Sequence, residues 1–220
     1  MAIPYGDLDP LARQDSTLFT GPYPNQQAVG PDILPYTVSY SYCITVVISS
    51  PLDHRLFTLH ELSSTLSVQR IPEAPNGASS IIASVSITPP DPPQGAIFAA
   101  AELLIPTPTE KFCTPYIYVS NRNTGTQDSR GDSIAIFEHV YQGTPFEGLK
   151  LVNQVFTGLD QIRGMEIGPA DERGGEEYLV AAGFAGTAGV LVFKRTEGGR
   201  NLELVAKNLE IPTRTSFVWL

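Results

Sequence analysis

From about Val38 onward, short runs of β-branched and aromatic residues alternate with clusters of Gly, Pro, Asn, Asp and Ser. Runs of four to nine such residues between turn signals predict strands rather than helices. The predicted strands are Ser41–Ile48, Arg55–Glu61, Thr65–Ile71, Ile81–Thr88, Ile97–Ile105, Tyr116–Asn121, Ser133–Val140, Leu149–Phe156, Ile162–Ile167, Tyr178–Gly183, Val190–Thr196, Leu202–Lys207 and Thr215–Leu220. Residues 1–37 lack this pattern and are rich in proline, so they are expected to form an irregular arm, with residues 38–220 as the folded domain. The weak apolar spacing of Leu8–Arg13 is the one exception to an all-β reading.

The strands recur as a set. Tyr116-Ile-Tyr-Val-Ser-Asn121 aligns with Tyr178-Leu-Val-Ala-Ala-Gly183, and Asp132-Ser-Ile-Ala-Ile-Phe137 with Ala188-Gly-Val-Leu-Val-Phe193. Leu149-Lys-Leu-Val152 aligns with Leu202-Glu-Leu-Val205, and Gln161-Ile-Arg163 with Pro212-Thr-Arg214. A looser copy precedes them at Leu56–Glu61, Thr65–Arg70 and Ile81–Ile87. Four short strands repeated every fifty to sixty residues or so are the signature of propeller blades, because a lone four-stranded sheet buries neither face until neighbours stack on it. The expected fold is a partial β-propeller of three four-stranded blades plus one strand. A two-sheet β-sandwich is the competing architecture. Three blades do not close a ring, so the chain is expected to be a portion of a longer propeller or to cover its open faces by self-association.

Composition narrows the function classes. Gly and Pro together supply 38 of 220 residues and charged residues only 17%, which agrees with many turns and few helices. The net charge of −9, without a basic stripe, argues against nucleic acid as a partner. No apolar stretch approaches the ~18 residues of a membrane-spanning helix. The first residues show no basic and apolar leader, and no Asn-x-Ser/Thr sequon occurs, which favours a cytoplasmic location. Cys43 and Cys113 are read as two buried free thiols in preference to a disulfide, which the count also permits. His54, His60 and His139 show no zinc-ligand spacing with either cysteine, so no metal is expected.

The run Tyr116-Ile-Tyr-Val-Ser-Asn-Arg122, followed by Gly131-Asp-Ser-Ile-Ala-Ile-Phe137, resembles the "YVSNR" and "DSIAVF" strands of the seven-bladed lactonase propellers. That family includes bacterial 6-phosphogluconolactonase-like proteins and fungal carboxymuconate cyclases. Thr157-Gly-Leu-Asp-Gln-Ile-Arg-Gly-Met165 is similar to the family's blade-opening "G-x-x-P-R-x-F/M", with Ile162 in place of proline. His60-Glu-Leu-Ser-Ser-Thr-Leu66 is similar to its "NELSSTV" element. The resemblance spans residues 55–220 and looks like the C-terminal half of a fungal-type member. The family's early His-bearing blade elements are not recognisable in residues 1–54, so a site built across several blades is expected to be incomplete.

On a propeller, chemistry collects on the innermost strands and the loops beside them. Glu102 interrupts an apolar strand, Phe98-Ala-Ala-Ala-Glu-Leu-Leu-Ile105, where a carboxylate is costly unless paired or used. It is read as a general acid or base, or else as the partner of an arginine on the adjacent strand. Arg122 ends one strand and Arg163 opens the next inner one; each offers a fork suited to a carboxylate, a phosphate or a developing oxyanion, or else staples neighbouring blades. Glu61 and, by repeat, Asn121 stand at the same level and are candidate substrate ligands, as is Arg214, which repeats Arg163. His60 is expected to point outward into solvent.

Arg130-Gly131-Asp132 spells an adhesion tripeptide, but its place at the head of a strand predicts a turn cap instead. No Gly-x-Ser-x-Gly elbow is present, which argues against a serine hydrolase. The leading expectation is a lactonase or carboxymuconate-cyclase-like enzyme acting on a small anionic lactone or carboxylate without metal or organic cofactor. A non-catalytic binding or scaffold propeller, or an inactive portion of one, is the alternative.

Overall fold

The computed structural model describes residues 54–71, 79–211 and 216–219 in full, together with the backbone of strands at residues 24–25, 36–40 and 43–50. The predicted arm helix at Leu8–Arg13 lies outside the described residues. The strands are β1 (Pro24–Asn25), β2 (Tyr36–Tyr40), β3 (Cys43–Ser50), β4 (Arg55–His60), β5 (Thr65–Arg70), β6 (Ile81–Ser86), β7 (Phe98–Leu104), β8 (Ile117–Asn123), β9 (Ser133–Val140), β10 (Gly148–Phe156), β11 (Ile162–Ile167), β12 (Tyr178–Gly183), β13 (Gly189–Thr196) and β14 (Asn201–Asn208). They form three antiparallel sheets, in the orders β1-β2-β3-β4-β5-β6, β10-β9-β8-β7 and β11-β12-β13-β14.

Each of the last two sheets is one blade, and β3–β6 form the first. Innermost strands meet across blades, with β3 and β4 against β7 and β7 against β11, while the outer strand β10 packs between β6 and β14. The chain is therefore a partial propeller, as the repeat predicts. The additional strand falls elsewhere than expected: Ser216–Trp219 forms no strand, whereas β1 and β2 extend the first sheet beyond β3.

The apolar residues at both parities of Ile117–Val119 and Ile134–Phe137 follow from burial on both faces. On β8, Ile117 and Val119 point into a core shared with Phe57, Leu59, Leu66 and Val68 of the first blade. The alternate residue Tyr118 points the other way, into a core with Leu179, Ala181, Leu191 and Phe193 of the third blade. On β9, Ala135 and Phe137 take the first side and Ile134 and Ile136 the second. All seven residues of β8 are buried, whereas β13 alternates strictly between buried and half-buried. Successive side chains point to opposite faces, so a strand covered on both sides must be apolar at both parities. Each fully buried Leu, Ile or Phe contributes roughly 1.5–3 kcal/mol, which makes these two interfaces the main source of stability.

Polar links fix the blades at defined heights. Asp132 is 4% exposed and accepts hydrogen bonds from the backbone N–H of Asn123 at 2.9 Å and of Ile162 at 3.3 Å. Its own N–H donates to Leu159 O at 2.7 Å, so the β8–β9 turn is tied to the entry of β11. Gly131 permits this approach: it has φ +76°, and a Cβ there would lie 2.5 Å from Gly158 Cα. Arg130 pairs with Asp128 and covers Phe156, so the Arg-Gly-Asp sequence is a turn cap here, not a presented loop.

Between blades two and three, Tyr118 donates its hydroxyl proton to Gly199 O at 2.6 Å and accepts from Arg195 Nε at 3.0 Å. The buried Arg195 guanidinium lies 3.9 Å above the Phe112 ring. Gly199, at φ +100°, leaves no room for a Cβ beside that hydroxyl.

Two side-chain expectations are corrected. Cys113 is a free thiol but exposed, because it lies in the Thr- and Pro-containing β7–β8 connection rather than on a core strand. His60 is not solvated: it sits half-buried at the end of β4, hydrogen-bonded to Ser67 Oγ at 2.9 Å, and burial lowers its pKa.

Blades one and two are also joined by Arg55, which donates Nε to Glu147 Oε1 at 2.5 Å and Nη2 to Oε2 at 2.7 Å. That fork holds the Glu147 carboxyl down at about 2. A carboxyl depressed in the folded state contributes stability above its unfolded pKa and loses it as pH falls through the folded value. Glu147→Ala is expected to cost about 3–5 kcal/mol by removing one member of a buried ion pair. Denaturant melts from pH 7 down to pH 2 are expected to show Glu147→Gln with a flatter acid limb below pH 4.5 than the parent.

Candidate functional site at the innermost strands

The innermost strands β7 and β11 each depart from regular pairing at one point, and each departure carries a charged residue. On β7, Ala100 pairs with Asn121 and Leu103 with Val119, so Ala101 and Glu102 together face Ser120. On β11, Ile162 pairs with Gly183 and Gly164 with Ala182, leaving Arg163 as the extra residue. A bulge bends its strand and re-aims one side chain, which is how a strand whose regular positions are committed to a core can present a charge elsewhere. Glu102 N–H donates to Ser120 Oγ at 2.9 Å, which anchors the bulge. Because β7 packs on β11, the two bulges bring Glu102 and Arg163 within electrostatic reach of one another.

Burial pushes the Glu102 carboxyl up to about 7; the Glu166 carboxylate adds to the rise and the Arg163 guanidinium opposes it. Glu166, further along β11, is itself raised by burial. Among the described residues the Glu102 carboxylate carries neither an ion pair nor a hydrogen bond, and the Arg163 guanidinium lies over the Phe184 ring, 5.3 Å from its centroid. A carboxyl near 7 beside a guanidinium without a carboxylate fork can hold or release a proton at neutral pH and bind an anion next to it.

The remaining candidates sit differently. Arg122 is buried at the end of β8; its Nη2 donates to Glu61 Oε1, forming an ion pair between blades, and to Ala100 O at 3.3 Å. Its Nη2 is thus engaged by Glu61 at the β4–β5 turn, while its Nε is buried without a hydrogen-bond partner. Asn121 is 1% exposed within the first interface and donates Nδ2 to Ile87 O at 3.1 Å. Arg214 lies outside the described residues. Sequence reasoning passed over Glu166 and Phe184. Glu166 carried the same signal as Glu102, a carboxylate inside an inner strand. Phe184 follows a strand end and becomes visible only once β12 is placed. Among the described residues no group of three or more His, Cys, Asp and Glu could hold a metal ion, and no helix is long and apolar enough to cross a membrane.

The profile of the family described as lactonase, 7-bladed beta-propeller, matches residues 47–219. The chain belongs to that family. Solved structures similar to this lactonase-family chain include a putative 6-phosphogluconolactonase from Bacteroides fragilis, with TM-score 0.58 and 15% identity over 88% of this chain and 56% of that one. A periplasmic gluconolactonase from Pseudomonas aeruginosa gives TM-score 0.58 and 14% identity over 84% and 53% of the two chains. A putative 6-phosphogluconolactonase from Bacteroides uniformis gives 0.55 and 17% over 88% and 56%. At these identities the likeness is one of fold, and the chain spans little more than half the length of each. No curated protein matches the sequence.

Direct titration checks the electrostatics of the pair. The Glu102 side-chain carboxyl, followed by carbon NMR, is expected to titrate with a midpoint of about 7. In Arg163→Met the midpoint is expected to rise further, because the opposing positive charge is gone. A carboxyl raised in the folded state stabilises fully below its unfolded pKa and loses that contribution as pH rises through the folded value. Glu102→Gln is therefore expected to lose less stability than the parent between pH 5 and pH 9 in thermal melts.

Proposed function

We propose that this chain carries part of the hub of a lactone-processing propeller and that Glu102 and Arg163 are its reacting pair. The observation that carries this reading is the placement of both residues on bulges of adjacent innermost strands. The family match supports a lactone as the substrate class.

In ring opening, water adds to the lactone carbonyl, the acyl–oxygen bond breaks and the ring oxygen leaves as an alkoxide that needs a proton. Protonated Glu102 donates it; ionised Glu102 removes a proton from the attacking water. Arg163 holds the carboxylate of an anionic substrate or the oxygen on which negative charge develops. Closure of an unsaturated carboxylate, the carboxymuconate-cyclase type of reaction, is a separate addition: a carboxylate oxygen bonds to one alkene carbon, the double-bond electrons pass to its neighbour as an enolate held by Arg163, and protonated Glu102 delivers a proton to that carbon. Arg122, Glu61, Asn121 and Arg214 complete the proposed set, with Arg122 and Glu61 holding blade height and the local field.

One observation favours a second reading, a binding or scaffold propeller: the Arg122 guanidinium is paired with Glu61 between blades instead of standing open. Kinetics separate the two. Gluconolactone, 6-phosphogluconolactone and a carboxymuconolactone are offered, and acid release is followed at constant pH with the spontaneous rate subtracted. Turnover of at least one is expected, with Glu102→Gln slower by about 10²–10⁴-fold. Arg163→Ala is expected to lose about 10²–10³-fold, with a raised KM for anionic substrates. Equal rates for parent and both variants, or no turnover of any of the three, would leave the scaffold reading standing.

A further inference from the structure

The turn from β12 to β13 is tied to the segment that leads into β11. Phe184 N–H donates to Asp160 O at 3.1 Å and to Gln161 O at 3.0 Å. Asp160 N–H donates to Thr187 O at 2.9 Å, and Thr187 N–H returns to Asp160 Oδ2 at 2.7 Å. These bonds fix the backbone of Phe184 relative to the start of β11, where Arg163 stands on its bulge. By the blade repeat Phe184 occupies the position of Arg122, since Gly183 aligns with Asn121. In blade two that position reaches across to Glu61 of blade one, whereas in blade three it is a ring that meets Arg163.

Phe184 belongs to neither interface core, and 38% of it is exposed. A phenyl ring held at the surface by its backbone, outside any core, contributes little through burial. What it touches is a charge: the Arg163 guanidinium lies over it, 5.3 Å from the centroid. A guanidinium that rests one face on a ring keeps its N–H donors, because they lie in its own plane. Among the described residues no carboxylate pairs with Arg163. That edge is a fork, and the oxygens of a carboxylate or a phosphate match it.

We infer that Phe184 is a positioning residue: its ring holds the Arg163 guanidinium by one face and leaves the N–H edge to an oxyanion, so the hub selects lactones that carry a carboxylate or a phosphate. This rests on the reading of Glu102 and Arg163 as the reacting pair. Without the ring, a long side chain on a bulge with no paired carboxylate spreads over its rotamers, and its mean distance from Glu102 grows. Asp160 belongs to the same device, because it clamps the turn that carries the ring.

Carbon NMR of the Glu102 carboxyl reads the position of Arg163 without substrate. In Phe184→Leu the midpoint is expected to rise above that of the parent, toward that of Arg163→Met, because the opposing positive charge has moved away. Mere loosening that admits water would lower it, since burial is what raises it. Phe184→Tyr, which keeps the ring, is expected to hold the parent midpoint, and Phe184→Leu to add no rise in the Arg163→Met background. Inorganic phosphate and acetate, each followed at the Arg163 Nε–H, report which oxyanion the edge takes. At least one is expected to shift it saturably, with binding weakened about 2–5-fold in Phe184→Leu. An unmoved or lowered midpoint in Phe184→Leu, a Leu-like midpoint in Phe184→Tyr, a rise that persists with Arg163→Met, or no saturable response to either anion would each overturn the inference. In the parent the Arg163 side-chain protons are expected upfield, under the Phe184 ring current. Their ordinary position would overturn it as well, so a variant that fails to fold leaves the test intact. A parent that binds the anion but turns over no lactone defeats the reacting-pair reading and leaves Phe184 positioning an anion-binding arginine.

Discussion

Blade-on-blade contact is the constraint from which the rest of this structure follows. Blade two has no solvent face: Ile117, Val119, Ala135 and Phe137 press on blade one, while Tyr118, Ile134 and Ile136 press on blade three. Apolar burial drives the stacking but is non-directional, so sliding one blade along its neighbour costs little apolar area. The height of each blade is set by hydrogen-bonded and charged links at its ends. Asp132 joins the β8–β9 turn to β11, Tyr118 reaches Gly199, and the Arg55–Glu147 and Arg122–Glu61 pairs bridge blades one and two. Buried groups of this kind contribute less to net stability than to choosing one arrangement among several of similar apolar area.

That constraint explains why the candidate chemistry rides on bulges. Regular positions on β7 and β11 such as Leu103 and Met165 belong to one interface core or the other, and Glu166, a carboxylate at a regular position opposite Val180, is raised by burial. A charge at such a position would be buried against apolar side chains at a cost of several kcal/mol. The extra residue of a bulge belongs to neither ladder position, so Glu102 and Arg163 avoid full burial without breaking the sheets. Partial desolvation is what remains, and it is enough to move the Glu102 carboxyl into the neutral range.

Much of this was legible in the residues. Ser133–Val140, Ile162–Ile167 and Tyr178–Gly183 coincide with their predicted bounds: Asp132 and Tyr141 flank the first, Gly168 follows the second, and the third ends on a glycine. The three-blade count came from self-alignment alone, and the bulk of the middle blade from its unbroken apolar runs. Other features were not legible, for physical reasons. A bulge leaves no trace in hydrophobic alternation when both faces of a strand are buried, so the aim of Glu102 could be suspected but not placed. The burial of His60 depends on Ser67 across a hairpin, and the exposure of Cys113 on a loop whose path is set by the blades it joins. The role of Arg122 turned on Glu61, sixty-one positions away, which no local window contains.

Four arginines show how environment assigns a role to one side-chain type. Arg55 faces the acceptor-only carboxylate of Glu147 with Nε and Nη2 and becomes a staple. Arg195 is buried over Phe112 and bonded to Tyr118 and to the Glu176 carbonyl, so its charge is spread over a ring and neutral oxygens. Arg122 is held by Glu61 at the rim of the first interface. Arg163 is different: it is half-buried, an aromatic ring supports one side of it, and the Glu102 carboxyl within its electrostatic reach is raised to about 7. An incoming anion at Arg55 or Arg122 competes with a carboxylate already paired to it, whereas among the described residues Arg163 has no paired carboxylate. On the proposed reading, an anion at the hub is therefore expected at Arg163, within electrostatic reach of the Glu102 carboxyl.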